Sequence, residues 1–404
     1  MRKNLQQQKD SPWLCLFVSI LAVILLTTCI APPIPEGTTP KAKVKLIPNA
    51  LDGIAVPPDI EVMNGKIPGF MRGINLGNGF DAPSIGEWGV VVKKNHFKFA
   101  AAAGLDHVRL PVRFSAHAMD TAPYTIDEKW MKKVDWALKM AAKYKLNIIL
   151  DMHHYEEIHK EPQAHMERFK SMWKQIAERY KDHPLSVAFE LLNEPCDKLV
   201  PKLLNPLMKE TFELVRQSNL DRLIFIDGYF WANAEYLHTV DTSYMDENTV
   251  VTWHMYQPIL FTHQAAPWMG PEYATKGVVF PGPPKSPIEV TGVAATTDWV
   301  ADWFQQYNTL PSAENPSGPS TVYQHFDYAT ALVKKSGIRT YLGEFGAADL
   351  ADEQSRLNYI KLVRKEAERR QIGWAYWDDG GNNKGLIIQT GEWMEVVWRA
   401  LFED

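Results

Sequence analysis

Phe189-Glu190-Leu191-Leu192-Asn193-Glu194-Pro195 and Tyr341-Leu342-Gly343-Glu344-Phe345-Gly346 each place a glutamate just after an apolar run. A short apolar run closed by a turn signal reads as a buried parallel strand. If both strands belong to a barrel of alternating strands and helices, their carboxyl ends form the floor of one site. Two carboxylates brought together on that floor can cleave a glycosidic bond.

Working outward, the chain alternates short apolar runs with longer amphipathic ones, the pattern of parallel strands and covering helices. Eight strand candidates lie at residues 69–76, 107–112, 147–152, 186–192, 222–226, 250–254, 340–343 and 373–377, and helical periodicity is clearest at 128–144, 166–180, 323–335 and 353–370. The predicted fold is therefore α/β, a (β/α)8 TIM barrel. Residues 257–321 are too long for an ordinary connection, and Pro281-Gly282-Pro283-Pro284 and Asn315-Pro316-Ser317-Gly318-Pro319 make much of this segment loop. It is expected to be an insertion between strands six and seven that overhangs the cleft. No internal repeat and no second domain is visible.

At 404 residues and 46% hydrophobic, the chain can bury one large core. A net charge of −5 gives no reason to expect a nucleic-acid partner. The 14 Trp and 15 Tyr offer flat rings for the apolar faces of sugars, although most single tryptophans in such a chain serve the core. Arg2 and Lys3 precede an apolar run, residues 13–26, that is too short for a comfortable membrane span, so residues 1–29 read as an export signal. Leu26-Thr27-Thr28-Cys29 resembles a bacterial lipoprotein signal, with Thr28 departing from the usual Gly, Ala or Ser. That resemblance implies a membrane tether through Cys29; an ordinary secretory signal or a retained anchor are the alternatives. Residues 30–60, rich in proline, read as an extended linker, and the catalytic domain is assigned to 61–404. With Cys15 and Cys29 in the signal, only Cys196 remains in the body, so no intramolecular disulfide framework is available.

Nearly every strand candidate ends in residues suited to a sugar cleft. Arg109 is assigned to the end of strand two, His153 and His154 to strand three, Asn193 and Glu194 to strand four. His254 and Tyr256 follow strand six, Glu344 follows strand seven, and Trp377 ends strand eight. Alone, Asn-Glu-Pro is most often a helix start or turn; paired with a second strand-end glutamate it points to catalysis. His153 and His154 with Glu156 and Glu157 could instead ligate a metal, but strand one offers no His-X-His. Alternation along a strand would point Asn193 and Glu194 to opposite sides, so the chain must bend before Pro195 if both face the cleft.

From Arg72-Gly73-Ile74-Asn75-Leu76-Gly77-Asn78 to Trp377 the chain resembles glycoside hydrolase family 5, the cellulase and mannanase family, with Leu192-Asn193-Glu194-Pro195 and Gly343-Glu344-Phe345-Gly346 as its most specific motifs. Phe261-Thr262-His263-Gln264, following Trp253-His254-Met255-Tyr256, looks like a branch with endoglucanase members, some also acting on mannans. The resemblance implies a retaining endo-β-1,4-glucanase acting on β-1,4-linked polysaccharide, without metal or organic cofactor and without an obligate protein partner. It implies that Glu194 is the general acid and base and Glu344 the nucleophile. Tyr256 would hydrogen-bond the nucleophile and Asn193 the sugar 2-hydroxyl, while His153, His154 and His254 line the sugar site and Trp377 stacks beneath it. Asn78, Asp81 and Trp268 are carried over to glycone binding by matching position alone. Arg109 is the natural partner for Glu344, since a guanidinium can hold a carboxylate through two hydrogen bonds. The rivals are a mannanase or mixed glucan and mannan enzyme, and a non-catalytic carbohydrate-binding barrel.

Overall fold

The computed structural model describes residue 60 and residues 63–380 and 394–403. The segments assigned to export and tethering, Cys29 among them, lie outside the described residues except for residue 60. Among the described residues no helix is long and apolar enough to cross a membrane.

Eight parallel strands close a barrel in sequence order: β1 (Arg72–Leu76), β2 (His107–Val112), β3 (Asn147–Met152), β4 (Val187–Glu190), β5 (Ile224–Asp227), β6 (Thr249–Met255), β7 (Arg339–Phe345) and β8 (Gly373–Asp378). All eight predicted strands are present. Helices cover the outside, including Glu128–Lys143, Pro162–Tyr180, Pro319–Ser336 and Glu353–Arg369. Their ends follow local chemistry: Asp127 accepts hydrogen bonds from the Lys129 and Trp130 N–H groups, Asp352 accepts one from Ser355, and Gly337 ends its helix at φ +75°.

The strands are buried on both faces, and alternation divides their side chains between two cores. Val108, Leu110, Ile148, Leu150, Phe189, Ile224 and Ile226 pack outward beneath the helices. Ile149, Ala188, Phe225, Val250, Tyr341 and Ala375 form a separate inner cluster with Ile67 and Phe70. Two residues further along β3, β4 and β5 the inward positions become Asp151, Glu190 and Asp227, all buried. The barrel interior thus changes from apolar to ionisable toward its carboxyl end.

The insertion between β6 and β7 is more regular than expected. It contains the helix Asp298–Thr309, whose Val300, Phe304 and Tyr307 bury one face at helical spacing. Its first part leans on the carboxyl end of the barrel, where Thr262 Oγ1 donates to the Tyr256 carbonyl and the Ala348 N–H donates to that of Thr262. Further on it packs against the barrel's outer helix, with the Phe280 N–H donating to Ser355 and Asn358 donating to the Phe280 carbonyl.

Candidate active site

Arg109 lies in the middle of β2 rather than at its end, and its inward direction carries the guanidinium to the centre of the ionisable layer. All five N–H donors are used. Nε and Nη2 fork onto Glu190 at 2.7 and 2.6 Å, Nη2 also reaches Asn193 Oδ1 at 2.8 Å, and Nη1 donates to Asn75 Oδ1 and Glu344 Oε1, each at 2.8 Å. The expected two-bond grip on Glu344 is therefore corrected: the fork belongs to Glu190, and Glu344 receives one bond. Asp151 sits 3.1 Å from Nη2. Burial works against the charge of Arg109, but Asp151 and Glu190 outweigh it and raise its pKa well above the ordinary value. The acids outnumber this cation. Burial pushes both Asp151 and Asp227 well above the usual carboxylate range, with the Glu190 charge adding to it in each case.

The two sequence-predicted glutamates converge above Arg109. β4 ends at Glu190, and the chain then turns so that Glu194 takes φ +48°, an uncommon conformation for a non-glycine residue. This is the bend the sequence required. Glu194 Oε1 lies 2.7 Å from His254 Nδ1, and the same nitrogen lies 3.8 Å from Glu344 Oε2. One oxygen of each glutamate and a His254 nitrogen all fall within 4.8 Å of one another. The environments of the two acids differ. Glu344, 6% exposed, accepts from Arg109 and, at 2.9 Å, from the Tyr256 hydroxyl, whereas Glu194 is 26% exposed. Burial, then the Glu344 charge, keep the Tyr256 hydroxyl protonated well above its ordinary range.

Aromatic and imidazole rings line the floor beside them. His153 stacks against Trp377 at 5.7 Å and 18°, and His154 stands perpendicular to His153. A side chain at Gly77 would meet the Trp377 ring at 2.6 Å, so glycine lets the indole lie across the end of β1. His153 is held by Asp151 Oδ2 at 2.5 Å, and burial followed by the His154 charge lowers its pKa well below the ordinary value. Asp81 is buried, accepts the Asn78 N–H at 3.0 Å, and is pushed up to about 6 by burial, with His154 opposing. Trp268 is exposed, edge-on to His263, which in turn abuts Tyr256. Since Arg109 takes the Asn193 carbonyl oxygen, the amide nitrogen is left to donate to a ligand.

Asn75, Asp151, Glu190, Asp227 and Trp88 were not singled out from the sequence. Trp88, exposed and edge-on to His154 at 5.3 Å, follows β1 without a motif. The other four are inward positions of strands, and that phase was the signal available. Among the described residues three groups could hold a metal by proximity: Asp81, His153 and His154; Glu190, Asp227 and His254; Glu194, His254 and Glu344. Glu157 joins none of these, and Glu156 is bonded to His154, which lowers its pKa to about 2. In the second group both Glu190 oxygens already accept from Arg109, a donor set better suited to a guanidinium than to a second cation.

Residues 70–383 match the family model described as Cellulase (glycosyl hydrolase family 5). Endoglucanase H of Acetivibrio thermocellus is 27% identical over 309 residues, which is 76% of this chain but 29% of that protein, so the chain spans under a third of its length. Endoglucanase C of the same organism is 27% identical over 323 residues, covering 76% of this chain and 91% of the relative. Among solved structures, endoglucanase Cel5A from the hyperthermophilic Thermotoga maritima has a TM-score of 0.71 and 33% identity, covering 82% of this chain and 97% of its own. The barrel, the paired glutamates and the family match agree: the chain belongs to glycosyl hydrolase family 5, the cellulase family.

Proposed function

We propose that the chain is a retaining endo-β-1,4-glucanase. The observation that carries this reading is the approach of Glu194 and Glu344 to within 4.8 Å between oxygens, in unequal surroundings. Retaining enzymes hold their carboxyl groups about 5–5.5 Å apart, whereas inverting ones leave room for a water. Glu344, gripped by Arg109 and Tyr256, is the nucleophile that attacks the anomeric carbon. Glu194, open to the cleft, protonates the departing oxygen and then takes a proton from the water that releases the sugar. Asn193 donates to the sugar 2-hydroxyl, His153, His154, His254, Asn78 and Asp81 line the site, and Trp377 and Trp268 offer stacking faces. The chemistry uses these side chains alone.

Reducing-sugar release from carboxymethylcellulose and glucomannan tests the reading, with NMR of the first product expected to show the β anomer retained. Glu344→Ala should lower kcat/KM by at least about four orders of magnitude, because nothing replaces the attacking carboxylate. Glu194→Ala should spare aryl glycosides with good leaving groups in the first step and yield a β-glycosyl azide when azide is added. An inverted first product or an active Glu344→Ala enzyme would overturn the assignment. A second reading, action on mannan as well, is favoured by the likeness to Thermotoga maritima Cel5A solved with mannotriose, at 32% identity and a TM-score of 0.70. The Arg2 to Cys29 segment supports export with a membrane tether, which radiolabelled-lipid incorporation at Cys29 would test.

A further inference from the structure

We propose that Asp227 is a positioning residue for Glu194, acting as a neutral carboxylic acid that clasps the turn carrying the acid/base. The inference rests on the assignment of Glu194 as acid/base.

Asp227 is the last residue of β5 and is buried beside the catalytic turn. Its Oδ2 accepts the Glu194 N–H at 2.8 Å, the bond made at the left-handed residue itself. The same oxygen lies 4.0 Å from His254 Nε2, while His254 Nδ1 is 2.7 Å from Glu194 Oε1. Asp227 therefore meets Glu194 directly at its backbone, while the His254 ring, bonded to the Glu194 carboxyl group through Nδ1, stands beside Asp227 without a hydrogen bond to it. The chain after Asp227 adds a second hold. The Trp231 N–H donates to the Pro195 carbonyl at 3.2 Å, and Asn233 bridges to His254. To make that approach Phe230, Trp231 and Ala232 all adopt positive φ, 61°, 54° and 53°. Three such residues in a row are strained, and strain of this kind persists where the surroundings dictate it. The end of β5 thus grips the turn on both sides of the Glu194–Pro195 bond.

Why the acid should be neutral follows from its neighbours. Glu190 faces it from β4, Asp151 from β3, His254 from β6, and Glu194 and Glu344 lie above; Arg109 is the guanidinium among them. Both Glu190 oxygens are already held by Arg109. Asp227 Oδ1 is buried with no hydrogen-bond donor in reach, so as an anion it would be left unsatisfied. A proton on that oxygen, shared toward Glu190, resolves both the missing donor and the repulsion. It also spares Glu194 a second negative charge behind its turn.

Asn has the shape of a protonated Asp, with one acceptor and one donor end, so Asp227→Asn separates a neutral clasp from a charge. Kinetics should be run on cello-oligosaccharides and on 2,4-dinitrophenyl cellobioside, whose leaving group needs no protonation. Asp227→Asn is expected to keep kcat/KM within about threefold on both, with the basic limb of its pH profile unmoved. Asp227→Ala, which removes the acceptor of the Glu194 N–H, is expected to lose about 10- to 100-fold on the oligosaccharides and little on the aryl glycoside. Loss in the Asn variant, or a basic limb moved to lower pH, would show that Asp227 works as an anion and overturn the proposal. Equal loss of Asp227→Ala on both substrates would reduce the residue to a structural one, and no loss would remove its role. Should the Ala variant not fold, the Asn variant still decides. A wild-type enzyme that prefers mannan overturns the glucan reading alone, and the same comparison is then made on manno-oligosaccharides and an aryl mannobioside. A protein that cleaves neither overturns both.

Discussion

Two buried arginines solve the same problem in opposite ways. Arg222, just before β5, donates to the carbonyls of Pro184, Val187, Tyr180 and His183 and to Asn219 Oδ1, and lies over the Phe189 ring. Every acceptor is neutral; burial, then nearby Arg216, lower its pKa to about 10, which still leaves it charged. Arg109, on the same barrel, faces Glu190, Glu344 and Asp151, and its charge is reinforced. A buried cation can thus be housed by carbonyl dipoles and an aromatic face, without a carboxylate. The carboxylates around Arg109 are there for another reason: it is they that must be held, Glu344 by one bond as the nucleophile of the proposed reaction and Glu190 by the fork that fixes the guanidinium.

If that contrast is right, the two arginines should fail differently. Arg109→Met should lower kcat/KM by about three orders of magnitude or more, since Glu344 loses a charged donor in a water-poor site. It should also destabilise the fold by about 3–5 kcal/mol, because Glu190 and Asp151 stay buried without their counter-charge. Arg109→Lys, retaining charge without the fork, should fall between. A folded Arg109→Met enzyme within tenfold of wild type would end the comparison. Arg222→Met should cost about 3–4 kcal/mol in urea unfolding, as four carbonyls and an amide lose their donor, while kcat of the folded fraction stays unchanged. A loss of turnover there, without a loss of stability, would mean that Arg222 also serves the site.

How much of this was legible beforehand varied with the kind of signal. The eight strands and the long helices were, because parallel strands read as apolar runs between turn signals. Glu194 and Glu344 stood out at strand ends. Glu190 lay inside the quoted run and was passed over: with both strand faces buried, the inward phase that groups it with Asp151 and Asp227 is hidden among apolar neighbours. Asp227 fell one residue beyond the predicted end of strand five, residues 222–226, and Arg109 was given the right partner but the wrong share of its fork. The helix Asp298–Thr309 was obscured by the proline-rich stretches on either side of it. Hydrogen-bond partners at long sequence separation leave no local pattern, and the Arg109 network consists of such partners.

A third buried charge sharpens the comparison with the smallest effect. Asp81 has neither a guanidinium nor a full set of dipoles: Oδ2 accepts from Asn78, Oδ1 is without a partner, and His154 Nε2 is 3.9 Å away. Burial raises its pKa from 3.8 to about 6 in the folded protein, against the opposing pull of His154. Between those values the folded state holds a proton that the unfolded chain has lost, so stability falls as pH rises through the window and stays lower above it. The gap corresponds to at most about 3 kcal/mol. Asp81→Asn keeps an acceptor for Asn78 and removes the charge. Relative to wild type it should gain about 2 kcal/mol between pH 4 and pH 7, read from urea midpoints at each pH. A difference that does not change with pH would mean that Asp81 ionises as an exposed acid does, and that His154 compensates its charge as Arg109 compensates Glu190.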